Sequence, residues 1–230
     1  MKKIILMQKL GFIDYLVAWR YQKKLFESLL YNKNFTNRKY VGHLLFAEHF
    51  QVFTLGKGGN IDHILLSNDQ LDEIGISFYN SDRGGDITSH VIGQLIVYPI
   101  LDLESFFTDI YRYLRMLEEV VIKLLAIYRL PGERSHGETG VWLDVGSFKP
   151  RKICSLGIRM NRWIMMHGLA LNVNSDLQYF KYIIPCGIIE KGVSSMQQEL
   201  GYKISMDDII EIFTFIFSDI FKVYIHSFTY

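Results

Sequence analysis

Arg151-Lys152-Ile153-Cys154-Ser155-Leu156-Gly157-Ile158-Arg159-Met160, then His167-Gly168-Leu169-Ala170-Leu171-Asn172-Val173-Asn174, then Ile184-Pro185-Cys186-Gly187, is the stretch around which the chain is organised. Its first two runs are rich in β-formers and separated by a few residues, so they read as consecutive strands. A lysine stands near the start of the stretch and a cysteine near its end. An ammonium beside a thiol favours thiolate, the attacking form. If the chain folds back on itself, Lys152 and Cys186 share a pocket.

Outward from this stretch, composition bounds the possibilities. The chain has 230 residues, 49% apolar and 21% charged, with a net charge of +1. This is enough to bury a substantial core and excludes wholesale disorder. A near-neutral balance implies no global attraction to nucleic acid or to an anionic membrane. Two cysteines make no disulfide framework, and a reduced, cytoplasmic setting is expected, although a Cys154–Cys186 pairing stays open. Met1 to Met7 briefly imitates a signal peptide, but Gln8 and Lys9 end the apolar run early. No run approaches the ~18 apolar residues of a spanning helix.

Residues 3–9 read as a strand, and Asp14 as the cap of a helix running to about Leu30. Tyr15, Trp19, Phe26 and Leu29 share one face of that helix, chiefly for packing. Asn32 to Lys39 is turn-like, and Gly42–His49 and Gln51–Leu55 read as two strands. The glycine-rich turn Gly56-Lys57-Gly58-Gly59-Asn60 lacks Walker spacing and reads as an ordinary loop whose glycines allow close backbone approach. Arg83-Gly84-Gly85-Asp86-Ile87-Thr88-Ser89-His90 offers donors beside a tight backbone path. By chemistry alone that loop binds an anion, an acyl carbonyl or nothing. Leu103–Tyr128 has helical periodicity, closed by Leu130-Pro131-Gly132. Gly140–Asp144, Lys152–Met160 and Trp163–Val173 read as strands. Ser194–Leu200 and Met206 to about Tyr224 read as helices, the second opened by a capping box of Ser205 and Asp208. The helical part beyond about residue 190 is expected to stand as a small lobe within one domain spanning 1–230.

The residues alone exclude some chemistries and leave others open. Scattered histidines and two cysteines give no zinc spacing, and no Gly-x-Ser-x-Gly elbow is present. A cysteine-protease reading would need His136 or His167 as base. Cys186 stays open between a nucleophile and a buried structural thiol.

Four segments in order narrow the choice: Arg83-Gly84-Gly85-x-x-Thr88-x-His90-x-x-Gly93-Gln94-Leu95-x-x-Tyr98-Pro99, Lys152-Ile153-x-x-x-Gly157, His167 to Asn174, and Pro185-Cys186-Gly187. Together with Phe53-Thr54-Leu55-Gly56, Thr139-Gly140-Val141-Trp142 and Gly11…Asp14-Tyr15…Trp19, they resemble the lipoyl(octanoyl) transferases over about residues 9–200. The resemblance implies an α/β (α+β) fold, a mixed central sheet flanked by helices as in biotin and lipoate protein ligases. It implies that Cys186 carries an acyl thioester and that Lys152 lowers its pKa and relays protons. It further implies that Arg83, Gly84, Gly85, Asp86, Ile87, Thr88, Ser89, His90, Ser155, Leu156, Gly157, Gly168, Leu169 and Ala170 line an acyl pocket.

The implied donor is octanoyl-acyl carrier protein. The implied acceptors are lipoyl domains of 2-oxoacid dehydrogenase acyltransferase subunits and the glycine cleavage H protein, with no cofactor or metal. One departure stands out: Val91-Ile92 replaces the family's usual Gly-Pro, which puts Ile92 at the pocket wall and chain-length preference in question. Lys149, Arg151, Arg159 and Arg162 are expected to form a docking patch for acidic partners. The rival readings are an ATP-dependent lipoate–protein ligase and a catalytically silent lipoyl-domain or acyl-binding protein.

Overall fold

The structure, a computed structural model, describes residues 3–34, 39–184 and 191–228. Part of the turn-like stretch 32–39, and Pro185-Cys186-Gly187, lie outside the described residues. Sixteen helices and strands follow in chain order: β1 (Ile4–Phe12), α1 (Tyr15–Tyr31), β2 (Gly42–Glu48), β3 (Val52–Leu55), α2 (Asn68–Glu73), β4 (Ser77–Asn80), β5 (Ile87–His90), β6 (Gln94–Leu101), α3 (Ile110–Ile127), β7 (Val141–Leu143), β8 (Arg151–Asn161), β9 (Ile164–Asn172), β10 (Gly192–Val193), α4 (Met196–Leu200), α5 (Met206–Phe221) and β11 (Tyr224–Ser227).

Eight strands form one mixed sheet in the order β10-β8-β9-β6-β2-β1-β11, with β7 also on β8. Strand β1 runs parallel to both β2 and β11, β10 runs parallel to β8, and the centre is antiparallel. Side-chain alternation sorts each central strand between two cores. Leu44, Phe46, Leu95, Val97, Leu169 and Leu171 face one side, where α3 and α5 pack. Leu45, Ala47, Ile96, Tyr98 and Ala170 face the other, against Ala18, Phe26 and Leu29 of α1. Coverage on both faces is why β6 and β9 are buried along their whole length. The mixed central sheet flanked by helices is the expected fold. A second sheet, β4-β3-β5, packs beside it with Phe180 and Ile183 in its own cluster.

Two element boundaries differ from expectation. The helix expected over Leu103–Tyr128 begins only at Ile110, because Asp109 caps it by accepting from Arg112 N at 2.9 Å. Leu103–Ser105 ahead of it is a single 3₁₀ turn. At the other end, α5 stops at Phe221, where Lys222 turns left-handed, and the chain then adds β11 in parallel to β1. The final helix is no separate lobe: Ile209, Phe213 and Phe217 sit in the same core as α3 and the sheet. Among the described residues, no helix is long and apolar enough to cross a membrane.

Candidate active site

The β8–β9 hairpin is the floor of the site. Its register pairs Ser155 with Ala170, Leu156 with Leu169 and Gly157 with Gly168, so two segments distant in sequence become one patch. The Arg83–Ile87 loop lies over that patch, and Gly84 N donates to Ile158 O at 2.8 Å. The lack of a side chain at Gly157 permits this: a Cβ there would stand 3.0 Å from Gly84 O and 3.1 Å from Arg83 Cδ. From the other side, Lys57 N donates to Arg83 O at 2.9 Å and Gly58 N to Gly85 O at 3.2 Å. The glycine-rich turn therefore supports the Arg83 loop.

Between loop and hairpin lies a cavity enclosing about 520 Å³, counting the space open to solvent at its mouth. Arg83, Gly85, Asp86, Ile87, Thr88, His90, Ser155, Leu156, Gly157, Gly168, Leu169 and Ala170 are brought together in its lining. Gly84 and Ser89 are not in the lining: Gly84 hydrogen-bonds across to β8, and Ser89 is a buried position of β5 opposite Phe53. Ile92 is 47% exposed in the turn before Gly93, and neither it nor Val91 is in the cavity lining.

Tyr15, Ile96, Tyr98 and His167 complete the lining and were not among the expected residues. Ile96 and Tyr98 sit on the α1-facing side of β6, so period-two alternation from the motif residue Gln94 would have picked them out.

The polar members are held neutral or paired. The Arg83 guanidinium turns onto its own framework, donating to Thr54 O at 2.5 Å and Thr54 Oγ1 at 3.0 Å through Nη2 and to Gly84 O at 3.0 Å through Nη1. Gln94 Nε2 donates to Ser89 O and Asn172 Oδ1, which leaves Gln94 Oε1 to accept from His90 Nδ1 at 3.0 Å. Burial, with the charges of His49 and Arg83, pushes His90 down to about 3.

His167 adopts a left-handed backbone, φ 61°, at the cavity wall. Its Nε2 stands 2.6 Å from Asp82 Oδ1. The same carboxylate accepts from Trp19 Nε1 at 3.1 Å and pairs with Arg159. Burial opposes charge on Asp82, but the hydrogen bond and charge of His167, with Arg159 and Lys23, hold it down at about 2.

Lys152 lies on β8, three residues before Ser155, and is 6% exposed. Its ammonium is 4.5 Å from the centre of the Trp142 ring. It lines a smaller pocket with Trp142, Asn172, Phe180 and Lys191, and Ser155 is common to that pocket and the cavity under the Arg83 loop. Strand β10 pairs Val193 with Lys152, and Ser194 N donates to Lys152 O at 3.0 Å. Ahead of residue 185, Ile184 N donates to His63 O at 2.8 Å. Cys186 itself lies outside the described residues. Cys154 is buried in the core, where burial first and then the charge of Glu118 push its thiol well up, the opposite of an attacking thiolate.

The basic residues do not form one patch. Arg151 pairs with Asp144 and Glu199 at one end of β8, and Arg159 is held by Asp82 eight residues on. At strand rise that is roughly 26 Å away. Among the described residues, no group of three or more His, Cys, Asp or Glu has the arrangement to hold a metal ion.

The sequence profile of the lipoyl protein ligase A/B catalytic domain matches residues 14–218. The chain belongs to that family. An octanoyltransferase of Flavobacterium psychrophilum is 51% identical over 217 residues, covering 92% of this chain and 94% of the relative. One of Flavobacterium johnsoniae is 52% identical over 215 residues, covering 91% and 93%. The fold is also that of the bipartite lipoate protein ligase of Thermoplasma acidophilum, at a TM-score of 0.70 and 18% identity over 99% of this chain and 87% of that one. Within the lipoyl protein ligase A/B family this chain is an acyltransferase of the lipoyl(octanoyl) transferase type. Its cavity lining, Lys152 and the β8–β9 hairpin are the parts of that catalytic domain described above.

Proposed function

We propose that the protein moves an octanoyl group from octanoyl-acyl carrier protein to the target lysine of lipoyl domains, through a thioester on Cys186. The observation that carries this reading is that Ser155 of β8 lines both the largely apolar cavity under the Arg83 loop and the pocket of the Lys152 ammonium. Of the residues that flank Cys186 in sequence, Ile184 is held to His63 O, and Val193 of β10 is paired with Lys152 of β8.

In the resting site the Cys186 thiolate is paired with the Lys152 ammonium. The thiolate attacks the donor thioester carbonyl, and backbone N–H groups are the donors suited to the resulting oxyanion. Its collapse breaks the bond to the carrier sulfur, which takes a proton from Lys152 and leaves as a thiol. Lys152, now a neutral amine, accepts a proton from the incoming lysine as that amine attacks the Cys186 thioester. Expulsion of Cys186 thiolate restores the starting pair and leaves an amide. Thioester energy drives both steps, so neither ATP nor a metal is needed. Each buried methylene of the chain contributes about 0.8 kcal/mol to binding. Neutral His90 and the apolar faces of Ile96, Leu156 and Leu169 suit such a chain.

Intact-protein mass after incubation with octanoyl-acyl carrier protein tests the reading. The wild type is expected to gain one hydroxylamine-labile octanoyl group, and Cys186→Ser none. Modification of a lipoyl domain only with ATP and free octanoate would instead establish a ligase. No adduct and no modification under either condition would leave a binding protein.

A further inference from the structure

Glu118 is a fully buried carboxylate on α3, remote in sequence from every motif quoted above. Arg115 Nη1 donates to its Oε2 at 2.7 Å and Arg134 Nε to the same oxygen at 3.2 Å. Its other oxygen faces inward and accepts from the backbone N–H of Gly140 at 3.0 Å. A buried carboxylate is costly to desolvate, so one aimed at a single backbone N–H fixes that peptide firmly.

What Gly140 does explains why the peptide is worth fixing. Its φ is +130°, and a Cβ there would lie 2.7 Å from Cys154 O, 3.3 Å from Lys152 Cε and 3.6 Å from Lys152 Cδ. The Gly140 backbone is thus one wall of the slot through which the Lys152 stem passes. Two residues on, Trp142 provides the surface beneath the ammonium, and its backbone is bound to Glu133 in both directions at 2.8 and 2.9 Å.

We infer that Glu118 is a positioning residue for the reaction, holding the Gly140 peptide so that the Lys152 ammonium is fixed over Trp142. The inference rests on the reading that Lys152 controls the Cys186 thiol. The two oxygens divide the work: Oε2 satisfies the guanidiniums at the surface of α3, while Oε1 transmits the position of α3 to the lysine slot.

The test uses the full chain and follows alkylation of Cys186 by iodoacetamide against pH, by peptide mapping, together with the rate of octanoyl-enzyme formation from octanoyl-acyl carrier protein. Glu118→Ala is expected to move the alkylation profile toward the ordinary thiol value near 8.5 and to slow acyl-enzyme formation roughly 10- to 100-fold. Glu118→Gln, which can still accept from Gly140, is expected to stay within about threefold of wild type. The double variant Glu118→Ala with Lys152→Ala should be no slower than Lys152→Ala alone, since one residue acts through the other.

A folded Glu118→Ala with a wild-type profile and rate, or losses that simply add in the double variant, would overturn the inference. Where Glu118→Ala does not fold, Glu118→Asp answers the same question, since it keeps the charge for the two guanidiniums and withdraws the carboxylate from the Gly140 N–H without touching Lys152. A shifted profile supports the positioning role, and an unshifted one ends it. If Lys152→Ala itself leaves the profile unmoved, the reading of Lys152 falls, and the inference built on it falls too.

Discussion

At Gly157 a single missing methyl decides whether the cavity between the Arg83 loop and the β8–β9 hairpin has a roof. The Arg83 loop lies where a Cβ would otherwise go, with backbone and a guanidinium-bearing stem as the atoms to be displaced. Gly157→Ala is expected to cost about 1–2 kcal/mol of stability and to raise the KM for octanoyl-acyl carrier protein several-fold more than it lowers kcat, because the loop moves and Lys152 does not. Gly146→Ala, where a Cβ would meet nothing within 4 Å, is the matched control and should change neither. Equal changes at both positions, read by steady-state kinetics and thermal melting, would refute the roofing role. Residues of this kind were legible in the sequence because they fall inside short, ordered motifs. Asp82 and Glu118 were not, because each is an ordinary charged residue until the fold brings its partners to it.

Asp82 matters at the scale of elements, since it ties three of them together. From the loop after β4 it reaches His167 on β9, Arg159 on β8 and Trp19 on α1. Asp82→Asn keeps the shape and removes the charge that the histidine and arginine face. Hydrogen bonds to charged groups contribute about 1.5–3 kcal/mol. A loss near 2 kcal/mol would lower Tm by about 4–8 °C in a chain of this size. A Tm unchanged at neutral pH would mean the clamp is solvated and idle. The elements themselves were readable wherever periodicity was strong: β1, α1, β2, β3, β8 and β9 lie within a few residues of their expected limits. Strand β11 was unreadable because its four residues are largely exposed and carry no apolar alternation, so only pairing with β1 makes them a strand. The late start of α3 has a similar cause. Leu103 and Phe106 continue an apolar period, but Asp109 supplies a cap that periodicity alone cannot weigh.

For the whole molecule, four histidines govern the response to acid. Burial alone lowers His43 to about 4, and burial with the neighbouring charges of His49 and Arg83 lowers His90 to about 3. Burial also lowers His49, against the hydrogen bond to Ile13, and His167, against Asp82. Each is neutral when folded near neutral pH and takes up a proton on unfolding once the pH falls below about 6.5. The unfolded chain then binds more protons than the folded one, so stability rises with pH in this window. It is complete above about pH 6.5 and drains away as pH falls toward the folded values of about 4 and 3 for His43 and His90. Each group contributes up to about 1.4 kcal/mol per pH unit, and total stabilities are only about 5–15 kcal/mol. Asp82, held at about 2, adds a further loss only at lower pH, below its unfolded value. Urea unfolding at pH 7, 6 and 5 should therefore give steeply decreasing free energies. His43→Gln, which removes one buried titrating ring that carries none of the cavity lining, should reduce the slope between pH 6 and 5 by about 1.4 kcal/mol per unit. A wild-type stability flat from pH 7 to 5 would mean these rings are protonated in place, and the cavity beside His90 and His167 would then hold charge where the proposed function puts an apolar chain.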